Sequence, residues 1–211
     1  MVDQISGNKY KIINFIPRFV PIENYTASFG YQWNVHNRTQ YDETSSYNLS
    51  KERFNKETKW NTDLNGEAIL EAGSGSGRFT PCALDTGALV VSFDYSNAVE
   101  ANYLSNGNHP NLLIVQSNIF EMPFEKNFFD KAYCFGVLQH TPDPEAAFLN
   151  IPLYLKQGGK IATDIYVKNL GRWILEPKYW VRPFTKGKNP EKLYRRIKKY
   201  IDFMWPLAKR I

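Results

Sequence analysis

The sequence predicts an α/β protein built on a Rossmann-like parallel sheet flanked by helices. Three observations carry this. Short apolar runs alternate with helical stretches across residues 61–167. A glycine-rich turn, GSGSG at 73–77, follows the first of those runs and opens a helix. Polar residues able to hold a ligand stand where successive runs end, Asp94 after the second and Asn118 after the third. Strands alternating with helices imply parallel βαβ units with both sheet faces covered. Right-handed crossovers then gather the strand C-termini on one edge, where ligands bind.

Each element has its own signal. Residues 68–72 (AILEA) are a short apolar run ending in glycine, hence a buried strand. Residues 79–85 read as a short helix closed by Gly87. Residues 88–94 (ALVVSFD) are a second buried strand and 96–104 a second helix. Residues 111–115 and 130–135 give the third and fourth strands. Pro142 and the stretch 145–155 predict a helix stopped by Gly158 and Gly159, with a fifth strand over 160–167. The flanks differ. Residues 1–60 are rich in aromatic, Asn, Thr and Ser residues with weak periodicity, and 168–211 are basic, aromatic and helical in pattern. The expected division is therefore a segment 1–60, a ligand-binding core 61–167 and an extension 168–211.

Composition narrows the classes. With 43% hydrophobic and 22% charged residues among 211, the chain has the make-up of a folded domain. No apolar run reaches the roughly 18–20 residues that cross a bilayer, and the polar first eleven residues lack a signal-peptide core. A cytoplasmic location is expected. Cys82 and Cys134 stand far apart and read as free thiols. His36, His109 and His140 are scattered, so no metal is expected. The net charge of +5 is local: from position 178 onward eleven basic residues meet only Glu191 and Asp202, giving +9 there and −4 elsewhere.

The chemistry concentrates in EAGSGSGR, residues 71–78. Gly73 and Gly75 permit a tight turn and close approach of a ligand, with Ser74 between them, and Gly77 permits close helix–strand packing. A dinucleotide fingerprint would be GxGxxG, but the sixth position is Arg78 and the spacing is GxGxG. Glu71 precedes the first glycine by two residues. It would repel a pyrophosphate and attract a cationic methionine amino group. Both features argue against a nicotinamide dehydrogenase. Asp94, closing the second strand, is placed to accept hydrogen bonds from two ribose hydroxyls, or to cap the following helix, as Ser96 also could. After the third strand, Asn118 can read an adenine edge, with Tyr95 and Ile119 on either face of the ring.

Residues 68–167 resemble the class I S-adenosylmethionine-dependent methyltransferases, nearest the ubiquinone/menaquinone-biosynthesis type (the methyltransferase type 11 group). ILEAGSGSGR is similar to the family's first motif and SFDYS to its acidic second-strand end. QSNIFEMPF resembles a stretch in which the family usually has Asp where Asn118 stands. FDKAYCFGVLQHTPDPEAAF and LKQGGKIATDIY resemble the fourth- and fifth-strand motifs. The resemblance implies S-adenosylmethionine as cofactor, held by Glu71, Gly73, Ser74, Gly75, Gly77, Asp94, Tyr95, Asn118, Ile119 and Phe135. SFGYQWNVHNRTQYD resembles an N-terminal segment that caps the cofactor cleft in related enzymes. There Trp33 or Tyr31 would cover the sulfonium and Arg38 would pair with the methionine carboxylate; the alternative is that these aromatics only pack the segment down.

The implied activity is methyl transfer to a small molecule or a lipid or glycan precursor. A non-catalytic S-adenosylmethionine-binding module of the same fold is the alternative. Should an acceptor need to lose a proton, His140 is the candidate base and Asp164 a weaker one, with Gln139 placed to orient the acceptor. Residues 135–138 read FGVL, not the NPPY-type motif of amino-methylating nucleic-acid enzymes, so DNA is not an expected substrate. The final antiparallel strand pair of the family is missing after Val167, which implies truncation or an unusual completion of the sheet. KYWVRPFTK resembles a helical insertion of the same group. The last helix pairs Leu193, Tyr194, Ile197, Tyr200, Ile201 and Met204 with a basic opposite face. It reads as a lid or homodimer helix, a membrane-surface helix, or an RNA-phosphate contact.

Overall fold

The computed structural model describes residues 1–2, 7–21, 27–35, 41, 48–166, 183–185 and 188–208. The chain divides into two compact units, Met1–Tyr166 and Val167–Ile211. In the first unit the predicted strands are β3 (Ala68–Ala72), β4 (Leu89–Asp94), β5 (Leu112–Gln116), β6 (Phe129–Cys134) and β7 (Leu155–Thr163). These five pair in parallel, in the order β5-β4-β3-β6-β7. The direction of winding reverses between β3 and β6, so a crevice opens outside their C-terminal ends.

Side-chain alternation explains why both faces must be covered. Leu70, Val91, Ala132 and Cys134 face one core with Leu138, Ala147 and Ile151. Their strand neighbours Ile69, Val90 and Tyr133 face a second core with Phe54, Leu64 and Leu84. Helices α2 (Leu49–Thr58) and α3 (Thr80–Leu84) supply Phe54 and Leu84 to the second core. Helix α5 (Pro144–Asn150) supplies Ala147 to the first. Burying such side chains contributes about 1.5–3 kcal/mol each.

The Rossmann-like expectation holds, with three differences. The first is at the edge. Residues 11–18, within the stretch of weak periodicity, form a hairpin, β1 (Lys11–Ile13) and β2 (Ile16–Arg18). It joins the sheet beside β5, on the edge opposite β7, and brings the sheet to seven strands. Among the described residues no strand follows β7, so that end of the sheet is an edge. The second is the helix expected over 145–155. It ends at Asn150, a 3₁₀ turn spans Ile151–Tyr154, and β7 starts at Leu155 and runs through Gly158 and Gly159. The glycines are not a helix stop. They sit where the β6–β7 register shifts: β6 advances two residues, Phe129 to Lys131, while β7 advances five, Leu155 to Lys160, so three extra residues are accommodated in β7. The third is α4 (Val99–Asn106), which starts three residues later than expected because Ser96 is held in a turn by Asp94.

The hairpin is fastened by a buried charge. Arg18 Nη1 donates to Gln116 Oε1 at 3.0 Å, and Nη2 pairs with Glu100 Oε1 at 2.7 Å. The Arg18 side chain is 4% exposed, so its partners, not water, stabilise the charge. Gln116 passes the constraint on: its Nε2 donates to the Tyr95 carbonyl at 3.0 Å and to Asn97 Oδ1 at 3.2 Å. Removing the guanidinium strands Gln116 and Glu100. Arg18→Ala should lower the free energy of unfolding by about 3 kcal/mol, read from urea denaturation. A loss below about 0.5 kcal/mol, the size of an ordinary surface substitution, would show that the hairpin is not held this way.

Candidate functional site

The crevice is a cleft of about 410 Å³, lined by the ends of β3, β4, β5 and β6. That volume is in the range of small-molecule sites. Its floor is the loop between β3 and α3. Gly73 has φ +80°, and a methyl there would meet the Val137 side chain at 2.5 Å. Gly77, φ +85°, would put a methyl 2.1 Å from Asn102 Oδ1. Both positions therefore exclude a side chain on two counts, conformation and space. The loop is held from several sides. Gly73 and Ser74 amides donate to the Phe93 carbonyl at 2.8 and 3.0 Å. Tyr41 Oη donates to the Ser76 carbonyl at 2.7 Å and accepts from Asn106 Nδ2 at 2.9 Å.

Asp94 stands at the end of β4 across from the loop. Its Oδ2 accepts from the Gly75 amide at 2.9 Å, and its Oδ1 from the Ser96 amide and hydroxyl at 2.8 and 2.6 Å. It caps no helix directly. It ties the glycine loop to the exit of β4. Glu71 lies beneath the loop, 2% exposed, and accepts from Thr80 Oγ1 at 2.6 Å. Burial raises its carboxyl above the ordinary 4.5, against the lowering effect of the Thr80, Ser92 and Tyr133 hydroxyls.

The structure brings most of the sequence-derived site residues together. Trp33, Glu71, Gly73, Ser74, Gly75, Asp94, Tyr95, Asn118, Ile119, Phe135 and His140 all line the cleft. Gly77 is not part of the wall; it lies under the loop against Asn102 and Asn106. Trp33, on α1 (Ala27–Val35), places its indole Nε1 3.4 Å from where a Gly75 methyl would stand. Helix α1 sits on the β4 exit, where Asn34 Nδ2 donates to the Asn97 carbonyl at 3.0 Å. Asn118 Oδ1 accepts from the Phe120 amide at 3.1 Å, which fixes the side chain in a turn. His140 is exposed, in the 3₁₀ turn Leu138–His140. Arg38 lies outside the described residues.

Two neighbours of His140 do other work than expected. The Gln139 amide atoms are buried, and Gln139 is not part of the cleft wall. Asp164 is committed on both oxygens: one accepts from the Gly136 amide and the other pairs with Arg53. It braces the turn after β6 and is not free to act as a base. Arg53 itself was not legible. It comes from α2, pairs with Glu57 at 2.7 Å, and stacks its guanidinium over Phe79 and Phe135 at 5.3 and 5.8 Å. In sequence it is one cation in a charged helix; only the fold puts it in the cleft wall.

Residues 70–163 match the model of a methyltransferase domain family. This stretch is similar to methyltransferase domains. Curated relatives share it with different partners in chemistry. A tRNA U34 carboxymethyltransferase of Campylobacter curvus is 24% identical over 120 residues, covering 55% of this chain and 40% of that protein. A ubiquinone biosynthesis O-methyltransferase of Pasteurella multocida is 27% identical over 139 residues, covering 59% and 57%. The chain thus spans about half the length of the curated relatives it matches. A solved structure from Methanococcus maripaludis, described as an S-adenosyl-L-methionine-dependent methyltransferase, superposes with a TM-score of 0.54 at 18% identity, covering 88% of each chain. At that identity the likeness is one of fold, and it agrees with the sheet order described above.

Glu71 gives the fold a measurable pH signature. Its folded carboxyl value is raised, so between the ordinary value and the raised one the folded chain holds more protons than the unfolded chain. Stability from this group is present below pH 4.5 and declines as pH rises above it. Glu71→Gln should flatten the fall of unfolding free energy above that pH by up to about 1.4 kcal/mol per pH unit. Parallel wild-type and variant curves from urea denaturation across a pH series would show that Glu71 is ionised and unperturbed.

Proposed function

We propose that the cleft binds S-adenosylmethionine and that the chain transfers its methyl group to a small molecule or a lipid or glycan precursor. The observation that carries this reading is the pair of acids at neighbouring strand ends, Glu71 under the glycine loop and Asp94 bonded to that loop's Gly75 amide. Together they oppose a pyrophosphate and favour a ligand bearing an ammonium group and a ribose diol. Asn118 faces the adenine edge in this reading, with Tyr95 and Ile119 on its two faces. Phe135 completes the floor, and Trp33 covers the sulfonium with an aromatic face. Arg38 remains the proposed partner of the methionine carboxylate.

The cofactor supplies a methyl group on cationic sulfur with a neutral leaving group. Little is then asked of the protein beyond in-line positioning and exclusion of water. The Asp164 brace on Gly136 and the Arg53 stack on Phe79 and Phe135 hold that side of the cleft in shape. His140 is the proposed base where the acceptor must lose a proton. Its exposure keeps the imidazole within reach of an acceptor entering from solvent. A reducing, cytoplasmic setting suits Cys82 and Cys134, both buried and unbridged.

Calorimetric titration with S-adenosylhomocysteine and with NAD tests the ligand. Binding of the first and not the second is expected; tight NAD binding alone would overturn the reading. Release of S-adenosylhomocysteine from S-adenosylmethionine with an acceptor panel tests the transfer, and binding without release across the panel would favour a non-catalytic module.

Asp94→Ala should weaken S-adenosylhomocysteine binding by about 1.5–3 kcal/mol through loss of charge-assisted hydrogen bonds. Because Asp94 also holds Gly75 and Ser96, the variant should lose stability as well. Thermal unfolding measured beside the titration separates the two effects. An unchanged dissociation constant in a destabilised variant would show that Asp94 is only a brace.

A further inference from the structure

The second unit contains α6 (Pro190–Ala208), a 19-residue helix that starts where Asn189 Oδ1 accepts from the Lys192 amide at 3.1 Å. Its sequence separates two faces. Leu193, Ile197, Tyr200, Ile201 and Met204 recur at three- and four-residue spacing and share one face. Tyr200, Ile201 and Trp205 are 66%, 50% and 57% exposed, so these apolar groups are not buried within the chain. The other face holds Lys192, Arg195, Arg196, Lys198 and Lys199. Two of these are neutralised along the helix, Arg195 by Glu191 at 3.1 Å and Lys198 by Asp202 at 2.8 Å. Lys192, Arg196 and Lys199 make no ion pair among the described residues. At spacings of four and three they form one stripe of uncompensated positive charge.

We propose that α6 lies flat on an anionic lipid surface. Apolar and basic faces of this kind, with aromatic residues on the apolar side, are the make-up of an interfacial helix. The helix is about 28 Å long, but no helix of the described residues is apolar enough to cross a bilayer, so it lies on the surface and does not span it. Charge complementarity selects the occupant. Hydrocarbon receives Ile197, Ile201 and Met204, while anionic headgroups meet the Lys192–Arg196–Lys199 stripe along its length. A second copy of the helix would bring the same stripe of cations and leave it unopposed. The excess of positive charge lies within residues 178–211, the remainder being net negative. Attraction to an anionic surface is therefore a property of this segment alone.

Sedimentation of the full chain with vesicles tests this, using phosphatidylcholine alone and phosphatidylcholine mixed with phosphatidylglycerol. Binding to the mixed vesicles only, weakening with added salt, is expected. The triple variant Lys192→Gln, Arg196→Gln, Lys199→Gln keeps the apolar face and should bind on the order of a hundredfold more weakly, at about 1 kcal/mol per cation. Ile201→Asn keeps the charges and should also bind more weakly. Circular dichroism confirms that each variant is folded. Equal binding to both vesicle types would overturn the proposal, as would no binding to either. A stable dimer in light scattering without vesicle binding would assign the apolar face to a second copy. Binding of an RNA oligonucleotide without vesicle binding would assign the stripe to nucleic acid phosphate. Either result also overturns it.

Discussion

The site depends on one constraint: the backbone of residues 73–77 must run close over the ends of β3, β4 and β6 with no side chain beneath it. Two of its glycines have left-handed φ and face atoms that leave no room for a methyl, Val137 at one and Asn102 at the other. The loop's polar groups are in turn distributed among partners from separate parts of the chain. Phe93 takes two amides from β4, Asp94 takes a third, and Tyr41 reaches in from the N-terminal segment. A loop so fully bonded can receive a ligand with little reordering, which is where binding otherwise loses free energy.

Charge is arranged around that loop with unequal solvation. Glu71 sits in a cage of hydroxyls whose hydrogen bonds only partly offset its burial, so its carboxyl is held above the ordinary range. Asp94 is partly exposed and receives three hydrogen bonds. Two carboxylates in one cleft thus have different environments. A cationic group entering beside Glu71 would relieve the penalty of its ionisation, so ligand charge and the protonation of this buried acid are coupled. The third acid of the neighbourhood, Asp164, is spent on architecture, because the Gly136 amide and Arg53 occupy both of its oxygens.

What the sequence made legible follows from range. The central strands β3 and β4 were readable because each is an apolar run buried along most of its length, and the glycine loop because its spacing encodes a conformation. Asp94 and Asn118 followed from their places at strand ends, which topology converts into one edge, and Phe135 from the family resemblance. The hairpin at 11–18 was not readable. Three-residue strands, one interrupted by Pro17, give no periodicity to detect, and β2 touches the main sheet at a single register pair, Arg18 with Gln116. The β7 start was misread for the opposite reason. LKQGG looks like a helix end, and only pairing with β6 makes it a strand with a register shift. Arg53 and Tyr41 were missed because nothing local marks them; long-range packing alone brings Arg53 to the cleft wall and Tyr41 to the Ser76 carbonyl of the glycine loop.

The hairpin shows how a distant edge takes part in the cleft. Arg18 could have been placed in solvent at little cost, yet it is buried, and a buried cation is tolerated only with well-made partners. One of those partners, Gln116, is also the last residue of β5 and hydrogen-bonds the carbonyl of Tyr95. Tyr95 follows Asp94 and lines the cleft. The path from the hairpin to the proposed adenine contact is therefore two side chains long, each link a hydrogen bond of about 3 Å. Glu100, the other partner, lies in the first turn of α4, so the same guanidinium holds the end of β5, which bonds the Tyr95 turn, and the helix that follows that turn. A parallel sheet without this hairpin would leave the β5 edge open and the Tyr95 turn fixed from one side only. The extra strands thus do more than close an edge: they hold the turn that must keep its shape if Tyr95 is to stack on a ligand.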